Sequence, residues 1–379
     1  MADFLPEDWR RATLVGRVDA GAGPTPVVVR QGRALDVSRA APTVSALLED
    51  WTPSVEGTDL GDISEIGFFR AWDQRATEAR MRLLAPVDLQ CIKAAGVTFA
   101  VSAVERVIEE RARGDARKAQ DIRSALKDRV GQDIRSVKPG SPEAARLKAA
   151  LIADGLWSQY LEVAIGPDAE VFTKSPVLSS VGWGDYAGVR SDSEWNNPEP
   201  EIVIISNSRG EAVGAALGND VNLRDFEGRS ALLLGKAKDN NASCSIGPFI
   251  RLFDETFGMD IVRKAMVKLE IEGEDGYRLE GGSSMAEISR DPLDLVRQAM
   301  SEHQYPDGFA LFLGTLFAPT QDRDEPGRGF THKKGDVVRV STPALGVLEN
   351  KIAPSKTAPP WTFGVSALMR NLSERGLLK

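Results

Sequence analysis

Apolar and polar positions follow several distinct rhythms along the chain. Residues 11–37 set the short apolar runs ATLVGRV, PVVVR and ALDV between Gly and Pro turns, which predicts a small β meander. PTVSALLEDW at 42–51 opens on Pro-Thr and continues at helical spacing. Beyond a loop rich in Gly and Asp, 62–80 is expected to be partly helical. LLAPVD at 83–88 reads as a linker, so an N-terminal β-rich domain is expected to end near residue 85. CIKAAGVTF then suits a buried strand, and from Val101 the spacing of Val101, Val104 and Ile108 is helical. The charged stretch 109–150 predicts exposed helices broken at KPGSP, residues 138–142.

The second half carries more strands. AEVFTK precedes long Gly/Ser-rich loops, and the apolar run EIVIIS at 201–206 follows them. Further on come CSIGPFI at 244–250, a helix near 253–258, a strand or hairpin at 266–280, a helix at 291–302, the strand FALFLGTL and KKGDVVRVSTPALGVLEN. No repeat of fixed period is present. Strands run together with helices interspersed, so the fold class is α+β rather than doubly wound.

Composition narrows the function. A hydrophobic content of 42% in 379 residues gives an ordinary globular chain with room for a large core. The net charge of −8, and Arg and Lys stretches without interleaved aromatics, argue against a nucleic-acid partner. No run of about 18 apolar residues predicts a membrane span, and the opening MADFLPEDWRRATLVG lacks a signal-peptide core, so a cytoplasmic protein is expected. Two cysteines, Cys91 and Cys244, are too few for a disulfide framework. The two histidines, His303 in SEHQYPDG and His332 in RGFTHKKGD, both read as surface residues. Neither a P-loop nor a strand–GxGxxG–helix pattern occurs.

The candidate chemistry lies in residues 197–239, NPEPEIVIISNSRGEAVGAALGNDVNLRDFEGRSALLLGKAKD. Glu199 and Glu201 stand two apart at the mouth of EIVIIS, and strand periodicity puts both on one face. Asp220 follows a Gly-rich connection. Three oxygen donors without His or Cys suit Mg²⁺ or Mn²⁺; a solvated strand entrance with a turn aspartate is the alternative. Lys236, in the Gly-Lys that closes the stretch, can supply a base or an anion contact. Ser102 and Glu105, three apart, share one helix face, where they can equally be a solvent-facing pair. Lys174 ends the strand AEVFTK, either as a substrate contact or as a surface lysine.

The order of these motifs resembles the fumarylacetoacetate hydrolase superfamily from about residue 90 to 353. The likeness is carried by E-P-E at 199–201, V-G-A-A-L-G-N-D-V at 213–221, R-D-F at 224–226 and G-K-A-K-D at 235–239. C-S-I-G-P at 244–248, G-T at 314–315, G-D-V-V at 335–338 and G-V-L-E-N at 346–350 complete it. The resemblance implies a mixed β-sheet roll of the fumarylacetoacetase C-terminal type over 86–379, behind a small N-terminal β-rich domain (1–85). A helical insertion is placed around 107–170, and the assembly implied is a homodimer or a higher homo-oligomer. It also implies that Glu199, Glu201 and Asp220 hold Mg²⁺, or Mn²⁺, that Lys236 is the active-site lysine, and that Gly314 and Thr315 contact a substrate carboxylate.

One departure bears on the reaction. Hydrolytic members of the superfamily carry an H-x-x-E lid motif, and this chain has Ser102 in the place of the His with Glu105 retained. Without that imidazole, water activation loses its general base. The pattern G-V-T-F-A-V-S-A-V-E-R instead is similar to the branch that dehydrates 2-keto-3-deoxy sugar acids, with Arg106 as a contact to the acid or its hydroxyls. The expected activity is a Mg²⁺-dependent dehydration of a 2-keto-3-deoxy-pentonate to 2,5-dioxopentanoate. Lys236 is the expected base, and Glu105, with a water near Ser102, helps the hydroxyl depart. Hydrolysis of acylpyruvates, decarboxylation of oxaloacetate, and a non-catalytic binding protein are the competing readings.

Overall fold

The computed structural model describes residues 3–73, 81–126, 137–315, 317 and 319–378. The N-terminal strands are Leu14–Asp19 (β1), Thr25–Arg30 (β2), Arg33–Asp36 (β3), Thr58–Asp62 (β4) and Arg82–Leu84 (β5). Then follow Cys91–Gly96 (β6), Glu170–Ser175 (β7), Tyr186–Val189 (β8), Asn196–Asn197 (β9), Pro200–Ser206 (β10), Ala212–Asp220 (β11) and Asn222–Leu223 (β12). The last are Cys244–Leu252 (β13), Met266–Glu272 (β14), Arg278–Ser284 (β15), Phe309–Phe312 (β16), Val337–Thr342 (β17) and Gly346–Pro354 (β18). An 11-stranded sheet runs β4-β3-β2-β1-β13-β11-β10-β16-β6-β7, with β5 beside β1, and a five-stranded sheet runs β15-β14-β17-β18-β8. Pairing is antiparallel except at β16–β6 and β18–β8. With its helices, this is the mixed α+β architecture expected.

The strand at the centre of the large sheet explains itself through its sequence. β10 is buried at every position, as an uninterrupted apolar run requires when both faces of a sheet are covered. Alternate residues serve different cores: Ile202 and Ile204 join one hydrophobic cluster, Val203 and Ile205 another. β14, by contrast, alternates exposed and buried positions and has one face in solvent.

The expected β meander forms as β1, β2 and β3, and β1 continues into the large sheet by pairing with β13, Leu14 opposite Arg251 and Val15 opposite Ile250. Residues 83–88 are not an exposed linker. Leu83, Ala85 and Val87 are buried, and the buried Arg17 guanidinium donates to the carbonyls of Ala85 and Val87. The helix expected near 253–258 is a tight turn. There the Asp254 carboxylate accepts the N–H groups of Thr256 and Phe257, offering the backbone an alternative to a helix. Residues 62–73 hold no helix, and the remainder of 62–80 that is not described, 74–80, lies outside the described residues.

His303 is exposed and stacks on Tyr305, as expected for a surface residue. His332 is not on the surface. It is buried with Nδ1 3.4 Å from Asp336, which Arg323 braces at 2.6 Å, so a charged pair draws the imidazole inward. Within 107–170 the described helices are Ala100–Ala112, which begins ahead of it, Ala116–Leu126, Pro142–Ala153 and Gln159–Ile165. Among the described residues no helix is long and apolar enough to cross a membrane.

Candidate active site

The site forms where β10, β11, β6, β7 and the segment after β16 meet. Glu199 immediately precedes β10 and Glu201 is its second residue, two positions apart and both buried. Asp220 ends the antiparallel neighbour β11, and its N–H donates to the Glu199 carbonyl at 3.0 Å, which places the three carboxylates together. One oxygen from each lies within 4.8 Å of the others, an arrangement able to hold a metal ion. Glu201 accepts the Gly314 N–H at 2.6 Å. That glycine has φ +90°, and a Cβ there would stand 2.1 Å from Thr98 Oγ1, so the bond to Glu201 depends on the missing side chain.

Two lysines reach the triad. Lys238 Nζ is 2.5 Å from Glu199 Oε2 and 2.9 Å from Asp220 Oδ2. Lys174 Nζ, fully buried, is 2.9 Å from Asp220 Oδ1, bonds the Lys238 carbonyl and lies 3.3 Å from Ser243 Oγ. Lys236 does not take part. It is exposed, with its ammonium 5.3 Å from the Phe226 ring centroid. On the short helix Leu234–Lys238, two residues differ by about 200° and therefore point oppositely. The lysine that faces the carboxylates is thus Lys238, while Lys236, expected there, points away from them.

The helix Ala100–Ala112 supplies the opposite wall. Arg106 reaches Glu199 Oε1, Glu109 and Glu227, each at 2.7 Å. It is therefore held by protein carboxylates, where a direct substrate contact was expected. Ser102 lines the pocket, and its hydroxyl donates to the Phe99 carbonyl at 2.8 Å. Glu105 is half-buried and is not among the described residues lining the pocket. Lys174 is likewise absent from the wall; it backs Asp220 from behind. Gly314 and Thr315 do line it. The Gly314 N–H is taken by Glu201, and the Thr315 hydroxyl turns back to the Phe317 carbonyl at 3.0 Å.

Sequence reasoning missed Glu170, Phe172 and Glu227, all on the pocket wall. A signal existed for the first two: Glu170, Phe172 and Lys174 alternate along β7 and so share a face. Glu170 lies against Gly96, where a Cβ would come within 2.1 Å of its Oε2. Next along, Val97 takes φ +56°, a left-handed conformation strained for a β-branched residue, at the turn from β6 into the helix.

Burial and charge set the acidities apart. Burial, followed by Asp220 and Glu199, raises the Glu201 pKa well above the ordinary range. Burial also raises Glu170, and it pushes Glu227 up to about 7. Asp220 goes the other way: the ammonium groups of Lys174 and Lys238 outweigh burial and lower it. Burial works against the Lys238 ammonium, but Asp220, Glu199 and Glu227 overcome it and raise its pKa.

Residues 193–353 match the fumarylacetoacetate (FAA) hydrolase C-terminal family. Among curated proteins, a probable 2-keto-3-deoxyxylonate dehydratase of Haloferax volcanii is 33% identical over 193 residues, 51% of this chain and 63% of that protein, somewhat under two thirds of its length. A 2-dehydro-3-deoxy-D-arabinonate dehydratase of Saccharolobus solfataricus is 29% identical over 254 residues, 62% of this chain and 80% of that protein. Both are named as dehydratases, which are hydro-lyases. Of solved structures, 2-keto-3-deoxy-D-arabinonate dehydratase complexed with magnesium and 2,5-dioxopentanoate superposes with a TM-score of 0.62 at 19% identity, covering 90% of this chain and 99% of that one. A fumarylacetoacetate hydrolase from Exiguobacterium antarcticum gives a TM-score of 0.55 at 16% identity, over 90% and 100%.

Proposed function

We propose that this protein is a hydro-lyase that removes water from a 2-keto-3-deoxy sugar acid, taking a 2-keto-3-deoxy-D-pentonate of the arabinonate or xylonate type to 2,5-dioxopentanoate. The observation that carries this reading is the convergence of a carboxylate triad on a buried lysine, with no imidazole among the described residues that line the pocket. The names of the two curated relatives support the reaction class.

Three buried carboxylates without sulfur or imidazole fit a hard divalent cation, Mg²⁺ or Mn²⁺. Glu199, Glu201 and Asp220 would hold it. When bound, such an ion polarises the keto group of a 2-keto acid and lowers the proton affinity of a neighbouring lysine. Lys238 replaces Lys236 as the group assigned to take the C3 proton. Glu170, on the pocket wall with its acidity weakened by burial, takes the role first given to Glu105 and protonates the departing C4 hydroxyl. Arg106 orients Glu199 and Glu227. Elimination across C3–C4 and tautomerisation from C5 then give 2,5-dioxopentanoate. Residues 86–379 carry the chemistry in this reading, since the described pocket wall begins at Ala95.

The test is a ¹H NMR assay of the purified protein with Mg²⁺, given each 2-keto-3-deoxy-pentonate epimer and, separately, an acylpyruvate and oxaloacetate. Production of 2,5-dioxopentanoate supports the reading. Cleavage of a C–C bond with no dehydration overturns it.

A further inference from the structure

The helices beside the pocket leave the core and return to it at one place. β6 and β7 are antiparallel neighbours with Gly96 opposite Glu170, and the described helices from Ala100–Ala112 to Gln159–Ile165 lie between them in the chain. Residues 97–99 are the outgoing stem of this helical segment and 166–169 the returning one. The outgoing stem carries Val97, strained at φ +56°, and the returning one leads directly into Glu170 at the start of β7.

Three consecutive residues from far along the chain bind both stems. Ile288 forms an antiparallel bridge with Phe99, and Ser289 donates its N–H and its hydroxyl to the Thr98 carbonyl at 2.8 and 2.7 Å. Arg290 takes the returning side. Its buried guanidinium donates to the carbonyls of Val163, Gly166, Asp168 and Pro167 at 2.7, 2.8, 3.2 and 3.3 Å. A charge is costly to bury unless it is well bonded. The end of the helix Gln159–Ile165 meets that need, because its last carbonyls lack helical partners and its dipole favours a cation. A nearby residue could supply such a cap. Here the cation comes from 127 residues beyond Val163, one peptide bond away from the residue that holds the other stem, so the two stems are fixed relative to each other.

We propose that Arg290 is a positioning residue of the active site: by tying the returning stem to the outgoing one, it sets Glu170 and the helix bearing Arg106 against the carboxylate triad. The part played by Glu170 rests on the proposed function; the tie between the stems does not. Glu170 lies two residues beyond Asp168, the last carbonyl that Arg290 holds. A displacement of ~1 Å at a reacting group lowers rates by up to ~10²-fold.

The experiment compares the full chain with Arg290→Met, both with Mg²⁺, by hydrogen–deuterium exchange and by steady-state dehydration of a 2-keto-3-deoxy-pentonate. Amides of 98–112, which Arg290 does not touch, should exchange faster by ~10-fold or more together with those of 159–170, while β10 and β11 keep their protection. The kcat should fall ~10-fold or more with KM within about threefold. Arg290→Lys, which keeps the charge but loses the planar fork, should recover part of both effects. Faster exchange confined to 159–170 would make Arg290 a helix cap alone and overturn the proposal, as would an unchanged kcat in the folded variant. Should Arg290→Met not fold, the same two readouts on Arg290→Lys decide the question. A wild-type protein without dehydratase turnover overturns the proposed function instead, and the exchange pattern then decides whether Arg290 ties the stems together.

Discussion

Lys174 Nζ and Asp220 Oδ1 stand 2.9 Å apart with the lysine fully buried, so a charged group behind the pocket fixes a carboxylate that faces into it. Removing one partner of a buried ion pair leaves the other uncompensated. Lys174→Met should therefore destabilise the fold by about 3 kcal/mol, the lower end of that range because Lys238 still reaches Asp220. Urea unfolding of the two proteins checks this. An unchanged midpoint would show that the pair contributes no net stability.

The two lysines of GKAKD separate cleanly. Lys238→Met should lower turnover in the dehydration assay by ~10²-fold or more, the scale of a lost proton-transfer group. Lys236→Met should leave turnover within about twofold, since its side chain lies out against Phe226. The reverse ranking in a steady-state comparison would return the role to Lys236.

How much of this site could be read beforehand followed the range of the interaction involved. Glu199, Glu201 and Asp220 were legible because strand periodicity and one short antiparallel connection are enough to bring them together. Lys238 was not: choosing between two lysines in a five-residue helix requires its rotation, which neighbouring elements set. Lys174 was misplaced although its alternation with Glu170 and Phe172 pointed inward, because a buried lysine makes sense only once its partner, 46 residues on at Asp220, is known. The burial of His332 likewise depends on Asp336 and Arg323. The large sheet's apolar strands were evident from sequence, whereas the pairing of β1 with β13, more than two hundred residues apart, was not.

His332 gives stability a pH dependence of known sign. Burial lowers its pKa below the ordinary 6.5, in spite of the opposing Asp336. The unfolded chain therefore binds more protons around and below pH 6.5, and stability falls as pH drops through that value. The contribution is fully present above it. Urea midpoints at pH 8, 7, 6 and 5.5 should decline toward acid, and His332→Gln should flatten the decline between pH 7 and 5.5. Identical slopes in the two proteins would contradict this.

Gly314 couples backbone shape to the triad. Its φ of +90° and the 2.1 Å approach of a built Cβ to Thr98 Oγ1 mean that Gly314→Ala must shift the turn. The cost expected is ~1–3 kcal/mol, typical of a strained backbone position. The N–H that holds Glu201 at 2.6 Å moves with it, so Mn²⁺ affinity, followed by electron paramagnetic resonance, should weaken alongside stability. Retention of both would separate Gly314 from the metal site.

The most direct test of the central claim is a ¹H NMR progress curve with Mg²⁺ and a 2-keto-3-deoxy-pentonate, run on the wild-type protein and on Glu201→Gln. The variant replaces one carboxylate oxygen of the triad with an amide while keeping the size of the side chain. The account predicts 2,5-dioxopentanoate from the wild-type protein and at least ~10²-fold slower formation from the variant. Equal rates from the two proteins would contradict it, because the triad would then have no part in the chemistry.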